Sequence, residues 1–258
     1  MTNTLRKIHW LASVQFGINF RLIMESLRGV PRYIQHWLQF RKHYPGIIGF
    51  YPCLHDWFQE GGASKSDYFW QDLYVARKIH AAAPPRHVDV GSRLDGFVAH
   101  VAAFREIEVF DIRPITTLIP GIQFRQADLT EPCDAYSDYC ESLSCLHALE
   151  HFGLGRYGDP IDAQGHLKGL ANMVSMLKPG GTLYLSIPIG IERVEFNAHR
   201  IFNPVVFVDI AATTGLTLKD FAWFEPEQNI VVSKDISHDL KCLGERSHNL
   251  GIFTFVKQ

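Results

Sequence analysis

Across its 258 residues the chain holds only five cysteines, and no two of them form a C-x-x-C pair. Cys53, Cys133, Cys140, Cys145 and Cys242 are an odd set, which argues against a disulfide framework and against a thiolate zinc site. A reducing, cytoplasmic setting is therefore expected. Long apolar runs are also lacking: nothing approaches the roughly 20 residues a bilayer-spanning helix needs. The first residues do not show the charged, apolar and small-residue order of a secretory signal, so the chain is expected to be soluble or membrane-peripheral. Internal repeats and low-complexity tracts are absent. Net charge is only −2, and the acidic balance beyond the N-terminus disfavours nucleic acid as a partner. What is present, a 47% hydrophobic composition, suffices for a large core.

Charge is unevenly placed. Residues 1–43 carry seven lysines and arginines against Glu25 alone, a net of +6, which leaves −8 for the remainder. Residues 5–43 read as helical, with Ile23, Leu27, Val30, Ile34 and Leu38 at spacings of three and four. Gly29 and Pro31 are expected to divide this stretch into two helices. The stripe suits either packing against the rest of the chain or an anionic membrane surface reached through residues 1–43. The expected organisation is an N-terminal helical appendage and loop over 1–64, followed by one domain over 65–258.

A helix is expected from Asp67 towards Ala83, stopped by Pro84-Pro85. Strand-like runs then follow at 86–90, 107–111, 122–126, 138–144 and 182–188, with helical or loop stretches between several of them. This alternation predicts an α/β fold, a mostly parallel sheet with helices on both faces. Residues 216–224 and 250–257 read as two further strands, and the charged, histidine-containing segment between them as a long loop or hairpin.

The run "HVDVGSRLDGF" sets Asp89 near the end of a buried strand, Gly91 in the turn and Gly96 five residues on. Ligands of open α/β sheets bind at the carboxyl ends of the strands, where a glycine lets the backbone come close. A nucleotide-type ligand is expected there. Asp111 closes the second strand twenty residues after Gly91, the separation that brings an acid to ribose hydroxyls. Asp128 and Leu129 close the third, where an acid can accept from an adenine amino group and an apolar neighbour can pack on its ring. Arg93 occupies the middle position of a dinucleotide glycine fingerprint, which weakens NAD and FAD as ligands.

With "VDVGSRLDG", "VFDIRP", "QADLTEP", "ESLSCLHALEHF" and "LKPGGTLYLSIP", residues 65–258 resemble the class I S-adenosylmethionine-dependent methyltransferases. "YFWQDLYVARKI", "LHALEHFGLGRYGDPID" and "IPIGIERVEFNAHRIF" resemble, more narrowly, an uncharacterised methyltransferase-like family whose bacterial members are associated with surface-polysaccharide biosynthesis. The resemblance implies a Rossmann-like, seven-stranded sheet with an antiparallel C-terminal strand, N-terminal helices and S-adenosylmethionine as cofactor. It places Asp89, Gly91 and Gly96 at the methionine end, Asp95 at the ammonium, Asp111 at the ribose, Asp128 and Leu129 at the adenine, and Tyr68 and Gln71 on a covering helix. Ser92 and Arg93 depart from the family pattern, which has a second glycine in this turn.

Transfer to a sugar hydroxyl needs a general base, and histidine suits that role near neutrality. His151 leads, with His147, His199 and Asp159 as further catalytic candidates. Glu150, Arg156, Tyr157, Asn197 and Arg200 are expected to hold a sugar or glycan acceptor, and the glycine-rich loop 152–162 to fold over it. Two other readings stay open. One is a non-catalytic methyltransferase fold docked to a membrane or a biosynthetic partner. The other is a zinc hydrolase using His147 and His151, which would share one face if H-x-x-E-H were helical. Asp159 and Asp162 are an alternative seat for Mg²⁺. No resident metal is expected.

Overall fold

The computed structural model describes residues 8, 10–62, 64–227 and 229–258. Residues 5–7 and 9 of the expected first helix, with Arg6 and Lys7 of the basic segment, lie outside them. The chain divides into two compact units, Met1–Ala63 and Ser64–Gln258.

The first unit is built on α1 (Phe20–Arg41), whose N-terminus is capped by Asn19 accepting from the Leu22 amide at 3.1 Å. The expected division at Gly29 and Pro31 does not occur, and α1 runs through both. Gly29 serves another purpose: a Cβ there would lie 2.0 Å from the carbonyl oxygen of Leu54, so the glycine admits the following loop. Arg32 covers the Trp57 ring of that loop at 4.3 Å.

The second unit begins with α2 (Asp67–Ala82), capped by Ser66, ending at Ala83 in a left-handed conformation ahead of Pro84-Pro85. Then follow β1 (His87–Val90), α3 (Ala99–Ala102), β2 (Ile107–Asp111), β3 (Ile122–Gln126), β4 (Cys140–Leu146), α4 (Gly165–Met176) and β5 (Leu177–Ile189). A short hairpin, β6 (Arg193–Glu195) and β7 (His199–Ile201), leads to α5 (Pro204–Thr213), β8 (Leu216–Glu225), β9 (Asn229–Val232), α6 (Ile236–Gly244) and β10 (Asn249–Lys257).

The main sheet has eight strands in the order β3-β2-β1-β4-β5-β10-β8-β9, one more than expected. β3, β2, β1, β4 and β5 are mutually parallel, while β10 runs antiparallel to both β5 and β8. The segment expected to be a long loop or hairpin between β8 and β10 supplies β9, which pairs with β8 as a hairpin, and α6. Asp235 caps α6 by accepting from the His238 amide, and Leu240 and Leu243 are buried beneath it. β4 extends two residues past its expected end, to Leu146.

Alternate side chains on the buried strands feed two cores, as period-two geometry requires. Val88, Val90, Leu143, Leu185 and Phe253 pack with Leu170 and Met173 of α4 on one face. Ile107, Val109, Leu146 and Ile252 pack with Val75 and Ile79 of α2 on the other. Removal of each such side chain from water is worth roughly 1.5–3 kcal/mol, so the strand ends that carry the candidate site rest on a stiff base.

Candidate active site

Strand order reverses between β1 and β4, and a cavity of about 370 Å³ opens at the carboxyl ends of the strands there. Four strand exits and one helix wall it: Gly91 and Arg93 after β1, Phe110 to Arg113 around the end of β2, Asp128 to Thr130 after β3, His147 and His151 after β4, and Tyr68 from α2. Residues 156, 157 and 159 close it from the loop beyond.

The β1 exit is held from beneath. Asp89, expected at the methionine end of the cofactor, is fully buried behind the cavity wall. Its carboxyl accepts from the Ser92 amide (3.0 Å), the Ser92 hydroxyl (2.6 Å) and the Ser144 hydroxyl (2.6 Å). Ser92 thus locks the turn. Burial pushes the Asp89 carboxyl up to about 7, against the three donors that favour its charge. Gly91 adopts φ +70°, and a Cβ there would stand 2.8 Å from the Ala148 methyl, so backbone reaches the cavity where a side chain would fill it. Gly96 and Asp95 also lie off the wall. A Cβ on Gly96 would meet the Asp72 carboxylate at 2.5 Å, and Asp95 is exposed and paired with Arg93 at 2.9 Å. Gln71 is buried, donating to Asp72 and accepting from the Ser186 hydroxyl at 2.5 Å, and so does not face the cavity.

Asp111 and Asp128 do face it. Asp111 is gripped by Arg113 through Nε (3.0 Å), Nη2 (2.7 Å) and the backbone amide (2.8 Å). A carboxylate offers about four acceptor positions, so about one remains for a ligand hydroxyl. Asp128 receives the Thr130 amide (2.8 Å) and hydroxyl (2.7 Å), both on Oδ1, which leaves Oδ2 for a further donor. Leu129 beside it is buried and apolar.

After β4 the chain makes no α-helix. His147 takes φ +53° and Leu149–His151 form a single tight turn, so the two histidines do not share a helix face. His147 Nδ1 lies 2.8 Å from Glu150 Oε1, and its Nε2 is buried with no partner among the described residues. Burial opposes a charge on either group, but their mutual attraction wins: the His147 pKa is raised and that of Glu150 lowered, an ion pair. Glu150 is 1% exposed and off the cavity wall, so it supports the site instead of gripping an acceptor. His151 differs. Its Nδ1 lies 2.7 Å from the Ala198 carbonyl oxygen, which can only accept, so the neutral ring keeps its proton on Nδ1 and a lone pair on Nε2. Burial lowers the His151 pKa, and the nearby Arg156 charge adds to this against Glu150. Tyr68 stacks on His147 with ring centroids 4.5 Å apart and is pushed up to about 12 by burial foremost and the Glu150 charge, so it stays a neutral donor.

The loop over the cavity is tied at its base. Arg200, expected on a substrate, is 5% exposed and points its guanidinium at backbone carbonyls, 2.6 Å to Phe152 and 3.3–3.4 Å to Glu150, Asp162 and Ala163. At the tip, Arg113 covers the Tyr157 ring at 4.4 Å, and Arg156 donates to Ala198 at 2.9 Å. Asp159 lines the cavity, and its carboxylate accepts from the amides of Gly155 (3.1 Å) and Tyr157 (3.2 Å), which orient it within the loop. Asp162 pairs with Lys168 at 2.7 Å, so the two acids do not form a cation seat. Among the described residues no group of three His, Cys, Asp or Glu side chains is disposed to hold a metal. Asn197, exposed, and His199, 6.2 Å from His248, lie off the wall on the turn and second strand of the β6–β7 hairpin.

The sheet order, with its antiparallel strand inserted beside β5, can be compared with solved structures. The chain has the class I methyltransferase fold. It is similar to a Burkholderia thailandensis 1,6-didemethyltoxoflavin-N1-methyltransferase solved with 1,6-didemethyltoxoflavin and S-adenosylhomocysteine bound, at TM-score 0.51 and 12% identity, covering 84% of this chain and 98% of that one. A Galdieria sulphuraria protein designated a sarcosine dimethylglycine methyltransferase gives 0.50 at 14% identity, covering 72% and 85%. The CurJ carbon methyltransferase gives 0.50 at 13%, covering 72% and 54%. Residues 121–224, from β3 to β8, match the family described as Caenorhabditis protein of unknown function, DUF268. No curated protein matches the chain.

Within this fold the sequence reading missed Arg113, Thr130 and Phe110 as wall residues, and the Ala198 carbonyl that sets the His151 tautomer. Arg113 had a visible signal, an arginine two residues past the strand-ending acid. The Ala198 carbonyl had none, because its approach to His151 depends on how the β6–β7 hairpin folds back.

Proposed function

We propose that the chain is an S-adenosylmethionine-dependent O-methyltransferase whose acceptor is a sugar or glycan intermediate of surface-polysaccharide assembly. One observation carries this reading: Gly91, Asp111, Asp128 with Leu129, and the neutral His151 share a single cavity at the strand-order switch. The residues fit the cofactor. Gly91 offers close backbone approach, Asp111 one remaining acceptor position for a ribose hydroxyl, and Asp128 with buried Leu129 an acceptor and an apolar face for adenine. The same fold in the Burkholderia enzyme, solved with S-adenosylhomocysteine, supports the choice. The narrower sequence resemblance supports the polysaccharide setting.

When bound, the cofactor supplies an electrophilic methyl group on a sulfonium. The chain's part is to hold the acceptor in line and remove a proton. His151 Nε2 takes the hydroxyl proton, while its Nδ1–H stays on Ala198 and keeps the ring aimed. Tyr68 offers a fixed donor on the cavity wall, with the His147 ring packed behind it. Arg156 and Tyr157 close over the acceptor from the loop.

Calorimetric titration with S-adenosylmethionine and S-adenosylhomocysteine tests the reading. Both should bind the purified protein, and Asp111→Ala should weaken them about tenfold or more, the worth of a hydrogen bond to a charged group. Absence of binding by either sinks the proposal. Mass spectrometry of glycans from cells with and without the gene should show a difference of one methyl group, and identical glycans would remove the sugar acceptor.

A further inference from the structure

Among the described residues of the first unit, α1 carries a large exposed apolar face. On α1, Phe20, Ile23, Leu27, Val30, Ile34 and Leu38 recur at spacings of three and four, which puts them on one side of the helix. All are exposed, Leu27 to 61% and Phe20 to 58%. The unit's own loop leaves them exposed: it crosses the helix where Gly29 meets Leu54, Arg32 meets Trp57 and Glu25 is buried, and of that loop only Leu54 and His55 reach the edge of the stripe, beside Ile23, Leu27 and Val30. That loop adds exposed aromatics of its own, Phe50, Tyr51 and Trp57, and Trp10 and Phe16 precede the helix.

Charge decides what fits this face. Arg21, Arg28, Arg41 and Lys42 flank or follow the stripe, and the one acid of α1, Glu25, is already paired with Arg21 at 2.7 Å. Two copies of the helix laid stripe to stripe would bring arginines together with no second acid on either helix to answer them, a like-charge contact that opposes pairing. No helix of the described residues is long and apolar enough to cross a membrane. A helix with an apolar stripe, basic flanks and neighbouring aromatic rings suits the plane between lipid headgroups and acyl chains.

We infer that α1 docks the protein on an anionic lipid bilayer, with the stripe inserted among the acyl chains and the arginines against the headgroup phosphates. This rests on the first unit alone and holds or fails independently of methyl transfer.

Co-sedimentation of the full chain with vesicles tests it. The protein should pellet with phosphatidylcholine vesicles containing phosphatidylglycerol, remain in solution with phosphatidylcholine alone, and be released by high salt. Leu27→Glu with Ile34→Glu should abolish binding. Arg28→Glu with Lys42→Glu, which leaves the stripe intact, should weaken partitioning roughly tenfold or more. Unchanged thermal unfolding of the charge-reversed protein shows that this loss is not misfolding. Recovery in the supernatant with both vesicle types overturns the proposal, as does binding that neither pair of substitutions weakens. It is equally overturned if sedimentation velocity finds a dimer that the Leu27→Glu, Ile34→Glu protein cannot form, since a second copy then covers the stripe.

Discussion

Two histidines four positions apart are shifted in opposite directions, His147 up and His151 down, around one glutamate. Glu150 Oε1 is 2.8 Å from His147 but 3.7 Å from His151 Nε2, and the shorter contact alone overcomes burial. The His151 pKa therefore lies below 6.5, and a rate that depends on its free base should be flat above neutrality and fall only on the acid side of that value. His151→Ala should lower kcat about 10²–10⁴-fold and erase the acid limb. A pH–rate profile that retains the limb in the variant assigns the proton to another group. Glu150→Gln strands the His147 charge in a buried site, and loss of one partner of such a pair costs about 3–5 kcal/mol, measurable by urea unfolding. These differences could not be read from "HALEH", because tautomer and charge depend on the carbonyl of Ala198 and on which ring Glu150 reaches. Likewise Arg200 reads as a ligand arginine in sequence, but its guanidinium is spent on the carbonyls of the loop.

At the scale of elements, the loop over the cavity works as a tied ring. The Asp162 amide donates to the Gly153 carbonyl at 2.9 Å, and a Cβ on Gly153, at φ +77°, would sit 2.0 Å from the Asp162 oxygen. Gly153→Ala should cost about 1–3 kcal/mol in backbone strain alone and raise the acceptor's KM, because the base of the ring must open. An unchanged KM would show that the ring does not position acceptor. The strands β2 and β3 were legible to the residue, since each is a short β-branched or aromatic run closed by turn chemistry. β9 and α6 were not. Four residues of strand and nine of helix carry too few periods to outvote the charges around them, although Ile236, Leu240 and Leu243 do fall on one face. The continuity of α1 was misread for a different reason: Gly29 and Pro31 look like a break, whereas Gly29 answers a loop distant in sequence.

Across the whole second unit, a buried polar chain joins the sheet to the site. His87 contacts the hydroxyls of Ser142 (2.8 Å) and Ser144 (3.1 Å), and Ser144 donates to Asp89. Burial lowers His87 from 6.5 to about 3 and raises Asp89 from 3.8 to about 7. Below 6.5 the unfolded chain binds a proton at His87 that the folded chain refuses, so that group loses stability as pH falls. Above 3.8 the folded chain keeps a proton at Asp89 that the unfolded chain releases, so that group loses stability as pH rises. Between about pH 4 and 6.5 the two slopes, each about 1.4 kcal/mol per pH unit, oppose one another. Relative to the parent protein, Asp89→Asn should gain stability with rising pH over this window and His87→Gln should lose it. Urea midpoints at three pH values check both, and parallel curves for all three proteins would refute the linkage.

The placement of β10 has a consequence for how the protein is made. Its neighbours are β5 and β8, both synthesised before it, so while the ribosome is still adding residues 226–248 the β8–β9 hairpin has no strand through which to hydrogen-bond to the parallel half of the sheet. Until the last strand is threaded between them, two long hydrogen-bonding edges stay open, the kind of surface that invites aggregation. Closure of the sheet is thus a late event, and a chain interrupted before Asn249 loses the strand that hydrogen-bonds its two halves together, keeping between them only packing such as that of α2 on β8 through Lys78 and Asp220.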